Sequence, residues 1–232
     1  MNMFTFRRVE TESELQEVFR LRYQVYCTEC GFESPQDHPD GLETDEYDAY
    51  STHFIAIDSD KRIVGSVRLI KNSELGFPIE KYCNPSFDTT RLPKDRVVEI
   101  SRLAISKVYR RRTIDGLYGT YDGDGGDGGN GKSGLKRRNN RPNIILGLFK
   151  AMYRESKWLG VVNWYVAMER SLYVLLRKYG FDFYAVGAEV QYHGRRKPYI
   201  SRIGNLESTI AKERPEVFKF FTDWTRDADY EI

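Results

Sequence analysis

Three polar residues stand inside an otherwise aliphatic segment, and they are the residues of this chain best suited to chemistry. The segment 97–105 reads VVEISRLAI and carries Glu99, Ser101 and Arg102. Charges are costly to bury in a strand, so each is expected to be paired or functional. Burial raises the pKa of a carboxyl group toward neutrality, where it can act as a general base. Glu99 is therefore interpreted either as a base or as a structural partner of an arginine.

A second set of charges lies nearer the N-terminus, again among apolar neighbours. Arg22 falls on the apolar face of a helix predicted at 11–26, and Arg68 interrupts a strand predicted at 63–70. A buried guanidinium needs a carboxylate partner. The polar loop 41–50 offers such partners in Glu43, Asp45, Glu46 and Asp48.

The elements that must position these residues form a mixed α/β pattern. Hydrophobic periodicity, caps and turn residues predict the order β-α-β-β-β-α-β-α-β-β-α, with no internal repeat. The predicted strands are 4–9, 53–58, 63–70, 97–105, 163–168, 183–190 and 197–200. The predicted helices are 11–26, 142–160, 171–179 and 215–224. This pattern predicts a mixed central sheet flanked by helices.

Composition predicts one soluble domain over residues 1–232. The chain has 36 Lys and Arg against 34 Asp and Glu, and 40% of its residues are hydrophobic. This balance excludes a polybasic nucleic-acid tail and leaves enough apolar residues for a core. No run reaches the roughly 18 apolar residues of a membrane-spanning helix. The first ten residues do not have the pattern of a secretory signal, so a cytoplasmic protein is expected.

A glycine-rich insertion is expected at about 113–141. Nine of the 19 glycines fall between Gly116 and Gly134, and the segment buries too little to offset its ordering entropy, so it should be mobile. Basic residues bracket it: Lys107, Arg110, Arg111, Arg112, Lys136, Arg137, Arg138 and Arg141. These form either a patch that steers an acidic partner or a solvated charged loop. A nucleic-acid partner is not expected, because no aromatic-interleaved basic module accompanies them.

The cysteines predict neither a disulfide scaffold nor a metal site. Three cysteines cannot all pair with one another. The Cys27-x-x-Cys30 spacing suits zinc, but no second cysteine pair follows. The remaining candidate ligands are Cys83, His38, His53 and His193.

The element order resembles the GNAT acyltransferase superfamily, and short motifs narrow the resemblance. Segments similar to the signature of acyl-homoserine-lactone (autoinducer) synthases are 21–22, Tyr26, Phe32, 41–48, 66–68 and 99–102. A nearer resemblance is to the PEP-CTERM/exosortase system-associated acyltransferases, which are related to those synthases and to long-chain N-acyl amino acid synthases. It is carried by 22–27, 31–33, 45–53, 99–112, 168–169 and 192–199.

The resemblance implies a GNAT-like fold, an N-acyltransferase activity and a set of site residues. The residues matching the synthases' active-site cluster are Arg22, Tyr26, Phe32, Glu43, Asp45, Asp48, Arg68, Glu99, Ser101 and Arg102. Glu99, Ser101 and Arg102 are then the catalytic candidates, and the others bind substrate. Phe32, Phe77 and the helix containing Met152 are further candidates for lining the pocket. GNAT folds commonly carry a bulge in the central strand, which would re-aim these side chains.

Two interpretations of the charged residues stay open. In one, Arg22, Glu43, Asp45, Asp48 and Arg68 form a wall where the acids attract an ammonium group and the arginines a carboxylate. In the other, the same residues tie a long loop to the first helix.

The resemblance also implies the substrates. An acyl carrier protein is the expected thioester donor, because the insertion replaces the short glycine-rich turn that binds coenzyme A in GNAT enzymes. Lys107, Arg110, Arg111 and Arg112 are its expected docking residues. The expected acceptor is a small amine or amino acid, and no cofactor is required. Two alternatives remain: an acyl-homoserine-lactone synthase, which would use S-adenosylmethionine, and an inactive module that only binds the carrier.

Overall fold

A computed structural model describes residues 4–109 and 141–223. Its strands are β1 (Phe4–Arg8), β2 (Ser51–Asp58), β3 (Ile63–Lys71), β4 (Val97–Ile105), β5 (Asn163–Met168), β6 (Tyr184–Ala185), β7 (Val190–Gln191) and β8 (Arg195–Arg202). Its helices are α1 (Glu12–Tyr23), α2 (Pro78–Tyr82), α3 (Arg141–Trp158), α4 (Arg170–Lys178), α5 (Ile203–Glu213) and α6 (Pro215–Thr222). The predicted glycine-rich insertion lies almost entirely outside the described residues.

The strands form one mixed sheet in the order β1-β2-β3-β4-β5-β8-β6, and β7 also pairs with β8. All neighbours are antiparallel except β4 and β5, which run parallel. The predicted mixed sheet flanked by helices is confirmed. The parallel pair at its centre is the feature that builds the site.

The first helix follows from its sequence. Thr11 is the N-cap, and its hydroxyl oxygen accepts a hydrogen bond from the Glu14 backbone N–H at 3.2 Å, which satisfies one of the free donors at a helix start. Beyond Tyr23 the helix widens into a π-helical turn, Gln24–Glu29. This turn places Tyr26 and Cys27 inside the protein, where both are buried.

The central strand β4 carries the bulge that was expected from the resemblance. Ser66 pairs with Ala104 and Arg68 pairs with Ser101, so two residues of β4 stand opposite one residue of β3. Arg102 adopts a left-handed backbone at φ 52°, which is uncommon for a residue other than glycine. The bulge therefore breaks strict alternation at the place where the polar residues occur.

Just before the bulge, β4 and β5 stop pairing. Their register runs from Val97–Asn163 to Ile100–Val166 and ends there, although both strands continue. A gap between two parallel strands opens unpaired backbone groups to a ligand. Helix α3 packs across the sheet and contributes the fully buried Phe149, which contacts the Trp164 ring edge-to-face at 6.2 Å.

Two sequence predictions about the C-terminal part are wrong. The strand predicted at 183–190 is only two short pieces, β6 and β7. Gly187 lies between them, and a Cβ added there would come within 2.8 Å of Pro198 Cγ, so the chain passes too close to β8 for a regular strand. The helix α5 was not predicted, although Ile203, Leu206 and Ile210 form its buried face. The predicted end of the last helix, at 224, lies outside the described residues.

Candidate active site

Glu99 is a buried carboxyl group in the middle of the sheet, with 1% of its surface exposed. Its Oε2 accepts a hydrogen bond at 2.9 Å from the backbone N–H of Ile79, in the first turn of α2. Burial raises its pKa from 4.5 to about 8, and the Ile79 N–H only partly offsets that effect. Within the described residues Glu99 forms no ion pair with an arginine, so the structural-partner interpretation is not what the geometry shows.

Three arginines, of which Arg22 and Arg68 are buried, and four acids form an arginine–carboxylate cluster beside Glu99. Its members are Arg22, Arg68, Arg102, Glu33, Glu43, Asp45 and Asp48. They come from α1, β3, β4 and the two stretches of loop that follow α1. With every member ionised, the cluster carries one net negative charge.

Arg22 and Arg68 have every guanidinium nitrogen engaged. Arg22 donates from Nε to Glu43 at 2.5 Å and from Nη1 and Nη2 to Asp48 at 2.7 and 3.2 Å. Arg68 donates from Nη1 to Asp45 at 2.5 Å and to Asp48 at 2.7 Å, and from Nε to the Ser101 hydroxyl at 3.0 Å. These bonds fasten the acidic loop to α1 and β3, as the second sequence interpretation stated.

Arg102 closes the cluster from the other side. The bulge turns its side chain toward the loop, where Nε donates to Glu43 and Nη2 to Glu33, both at 2.9 Å. Its guanidinium carbon also lies 5.5 Å from the centre of the Tyr26 ring, a cation–π distance. The Tyr26 hydroxyl donates to the Leu103 carbonyl at 3.0 Å, which holds the bulge in place.

The arginines of the cluster stabilise the ionised form of its carboxyl groups. Although burial alone raises a carboxyl pKa, the neighbouring arginines hold the pKa values of Glu43, Asp45 and Asp48 below their ordinary values. His53 lies against the same group, and burial lowers its pKa to about 4. The acids of the cluster are therefore ionised at neutral pH, in contrast to Glu99.

A small cavity of about 50 Å³ opens where β4 and β5 diverge. By the same measure a water needs about 10–15 Å³, so the cavity has room for a few water molecules. Its lining includes polar groups from several elements: Glu99, Ser101, Arg102, Tyr192, His193 and Arg196. Glu99 and Arg102, which strict alternation would send to opposite faces, thus reach one cavity.

Only some of the residues predicted to line the pocket lie at the cavity. Tyr26 lines the cavity, and Phe32 packs beside it with ring centres 6.3 Å apart. Phe77 lies outside the lining, because it caps α2 and packs edge-to-face on Tyr165 in a separate apolar cluster. Met152 belongs to the main core, and Phe149 of the same helix reaches the cavity instead.

Five residues that complete the site were not predicted as site residues from the sequence: Glu33, Glu169, Tyr192, His193 and Arg196. Glu33 accepts from Arg102 and lies 3.0 Å from His193 Nδ1. Arg196 donates to Glu169 at 2.5 Å. All five occur in segments that carried the family resemblance, but no local pattern there marked them as site residues. Arg196 falls at an inward position of β8, which begins two residues before the predicted strand.

The predicted carrier-docking residues are described only in part. Lys107 is exposed in the turn that follows β4. Arg110, Arg111 and Arg112 lie outside the described residues. In the described part of the chain, no group of three or more His, Cys, Asp and Glu side chains is arranged to hold a metal ion. Among the helices within 4–109 and 141–223, none has the length and apolar character needed to cross a bilayer.

Comparison with known proteins relates the chain to acyltransferases. The family model for an acetyltransferase (GNAT) domain matches residues 21–118. A curated relative, the L-ornithine N(alpha)-acyltransferase of Rhodobacter capsulatus, is 29% identical over 116 residues. That match covers 46% of this chain and 45% of the relative, so the matched part is less than half the length of the relative.

Solved structures extend the likeness over most of the chain. TofI, solved in a ternary complex with an inhibitor and MTA, has a TM-score of 0.62 at 15% identity and covers 91% of this chain and 95% of its own. BjaI, a CoA-dependent acyl-homoserine lactone synthase, has a TM-score of 0.62 at 17% identity, and the match covers 95% of this chain and 88% of BjaI. FeeM, an N-acyl amino acid synthase from uncultured soil microbes, has a TM-score of 0.56 at 12% identity, and the match covers 89% of this chain and 94% of FeeM.

These similarities agree with the sequence prediction of an amide-forming acyltransferase, and they confirm its fold. At such low identities the solved structures bear on the fold alone. The chain has the GNAT-like fold that acyl-homoserine lactone synthases and an N-acyl amino acid synthase share.

Proposed function

We propose that this protein is an N-acyltransferase that moves a fatty acyl group from a thioester to the amine of an amino acid. The observation that carries the proposal is Glu99: a buried carboxyl group with a pKa of about 8, free of arginine partners in the described residues and facing a cavity. Such a group can accept a proton near neutral pH. The names of the relatives supply the reaction class.

The reaction requires a neutral amine, a base and support for the oxyanion. The amine nitrogen attacks the thioester carbonyl carbon while Glu99 takes its proton, and a C–N bond forms. The tetrahedral intermediate then collapses with loss of the C–S bond, whose electron pair stays on sulfur. The thiolate takes up one proton, so that the proton lost by nitrogen is balanced.

Ser101 is positioned to support the oxyanion. Its hydroxyl accepts a hydrogen bond from Arg68 Nε at 3.0 Å, which leaves the hydroxyl hydrogen free to donate. Ser101 also lines the cavity. Preorganised donors of this kind stabilise charge that develops in the transition state. Arg102, in this proposal, shapes the cavity through the bulge and its contact with Tyr26.

The donor in this proposal is an acyl carrier protein, which docks on the basic residues Lys107, Arg110, Arg111 and Arg112. Carrier proteins are acidic, and a basic patch steers their approach. Replacing Arg110, Arg111 and Arg112 with glutamate should raise the KM for acyl-carrier protein about 10-fold at low salt and leave the KM for acyl-coenzyme A unchanged. Equal KM changes with both donors would contradict this docking site.

The acceptor to test first is L-ornithine, because the curated relative is named for it. Purified protein is incubated with acyl-carrier protein or acyl-coenzyme A and a panel of amino acids, and products are identified by mass spectrometry. An N-acyl amino acid supports the proposal. Release of methylthioadenosine from S-adenosylmethionine would show a lactone synthase instead. A failure to acylate any amine would favour the remaining alternative, an inactive module that only binds the carrier.

The cellular setting is a further part of the proposal. We place the enzyme in the cytoplasm, where acyl carrier proteins are made, and in a PEP-CTERM/exosortase-associated pathway, as the sequence resemblance implies. Lipid extracts of cells overproducing the protein should contain a new N-acyl amino acid. Cell fractionation tests the location. A search of the source genome for an exosortase gene, and deletion of that gene where one is found, tests the pathway.

A further inference from the structure

Arg196 is a buried arginine whose hydrogen-bonding capacity is only partly used. It lies on β8 with 6% of its surface exposed, and its Nη1 donates to Glu169 at 2.5 Å. Within the described residues, its Nε and Nη2 have no hydrogen-bond acceptor. Neither nitrogen is sealed from water, and Arg196 lines the same cavity as Glu99. Two guanidinium donors are therefore available to a molecule in that cavity.

Among the described residues, the other arginines of the site have fewer guanidinium nitrogens without a protein acceptor. Arg22 and Arg68 donate from all three nitrogens to protein acceptors. Arg102 uses Nε and Nη2 on two carboxylates and forms a third ion pair with Asp45 at 3.1 Å. A new carboxylate would have to displace an acid from Arg22 or Arg68, which is costly. Arg102 keeps only Nη1 without a protein acceptor in the described part of the chain. Arg196 needs no such displacement.

The guanidinium of Arg196 is held in a fixed place. Its carbon lies 5.2 Å from the centre of the Phe32 ring, a cation–π distance. Gly194, with φ of 89°, lets the chain pass close by, since a Cβ there would lie 3.0 Å from Phe32 and 3.4 Å from Arg196 Nη1. A rigid guanidinium fork recognises a carboxylate with little loss of side-chain freedom.

We propose that Arg196 binds the α-carboxylate of the acceptor and thereby selects α-amino acids over other amines. An α-amino acid carries its amine and carboxylate on one carbon, and a base, Glu99, and a cationic donor, Arg196, line one cavity. This inference rests on the proposed N-acyltransferase function and adds the residue that sets its acceptor class. Phe32 and Glu169 are positioning residues, because they act by orienting Arg196.

The test compares acceptors that differ only in the carboxylate: L-ornithine, L-ornithinamide and putrescine. We expect the wild-type protein to prefer ornithine over ornithinamide by about 10- to 100-fold in kcat/KM, the range expected for a charge-assisted hydrogen bond. The R196Q variant should lose this preference, because its kcat/KM should fall much further for ornithine than for ornithinamide. The matched control is R195Q, because Arg195 is exposed and pairs with Glu189 outside the cavity; it should keep the preference.

A second variant guards against misfolding, since R196Q leaves Glu169 without its partner. The double variant E169Q/R196Q removes both charges and should also lose the preference. Equal losses on ornithine and ornithinamide would show a purely structural role and overturn the inference. So would a wild-type enzyme that acylates the two acceptors equally, although the proposed function would then stand.

Binding gives a readout that does not need turnover. Ornithine should raise the melting temperature of the wild-type protein and not that of R196Q. An equal shift in both proteins would overturn the inference. If no amine is acylated at all, the proposed function fails, and the thermal shift still decides whether Arg196 binds a carboxylate.

Discussion

Replacing Glu99 with glutamine tests the chemical role of the buried carboxyl group. Glutamine has nearly the same shape and can still accept the hydrogen bond from the Ile79 backbone N–H through its side-chain oxygen. It cannot take a proton from the attacking amine. The E99Q variant should therefore keep the fold and lose most of the activity.

The magnitude follows from the pKa of Glu99. With a pKa of about 8, roughly one tenth of the enzyme has this group ionised at pH 7 and about nine tenths at pH 9. The kcat of the wild-type enzyme at saturating acceptor should therefore rise up to ~10-fold between these pH values. Loss of a general base costs about 100-fold or more, so E99Q should be slower by that factor and lack the rise.

The assay follows thiol release from an acyl thioester at saturating ornithine, from pH 6 to pH 10. The matched control is E74Q, because Glu74 is exposed on the loop after β3 and its replacement should leave kcat unchanged. An E99Q enzyme within about 3-fold of wild type at pH 8 would refute the reasoning. So would a variant that is slow but keeps the pH dependence of the wild type.

Three further predictions concern stability. Burial raises the folded-state pKa of Glu99 above its ordinary 4.5, so the native protein holds this proton more tightly than the unfolded chain does. This contribution to the free energy of unfolding is therefore lost as pH rises from 4.5 to about 8. Between those pH values, the free energy of unfolding measured by urea titration should fall by up to ~5 kcal/mol more in the wild type than in E99Q. R22Q removes Arg22 from the buried Glu43 and the partly buried Asp48 and should cost about 3–5 kcal/mol by urea denaturation. A loss below about 1 kcal/mol would contradict the buried-pair argument. In G147A the new methyl group would overlap the ring of Phe6, so a loss of about 1–3 kcal/mol is expected in thermal unfolding, whereas G204A, with open space around Gly204, should be neutral or stabilising.

The sequence predicted the site best at charged residues that stand among apolar ones. Arg22 on an apolar helix face predicted a buried ion pair, and the acidic loop supplied its partners in Glu43 and Asp48, as found. The position of Glu99 in an aliphatic strand predicted burial and a raised pKa, and both are present. These predictions succeed because burying an unpaired charge is expensive wherever it occurs in a fold.

Pairings between distant segments could not be predicted from the same reasoning. Arg102 meets Glu33 across 69 positions of sequence, and nothing in either segment records which acid meets which arginine. Arg196 was missed because β8 had been predicted to begin only at 197. Helix α5 was missed although its apolar residues recur at helical spacing, since Gly204 and Asn205 at its start are poor helix formers.

The arginine–carboxylate cluster has a consequence for how this protein can change over generations. Each of its acids bonds to one or more arginines, and Glu43 serves both Arg22 and Arg102. Loss of any one arginine leaves four acids facing two arginines, so single arginine substitutions there should be purged and viable ones should arise in compensating pairs. Arg196 shares only Glu169, which makes that pair the less constrained part of the site and the place where new acceptor preferences can be selected in the laboratory.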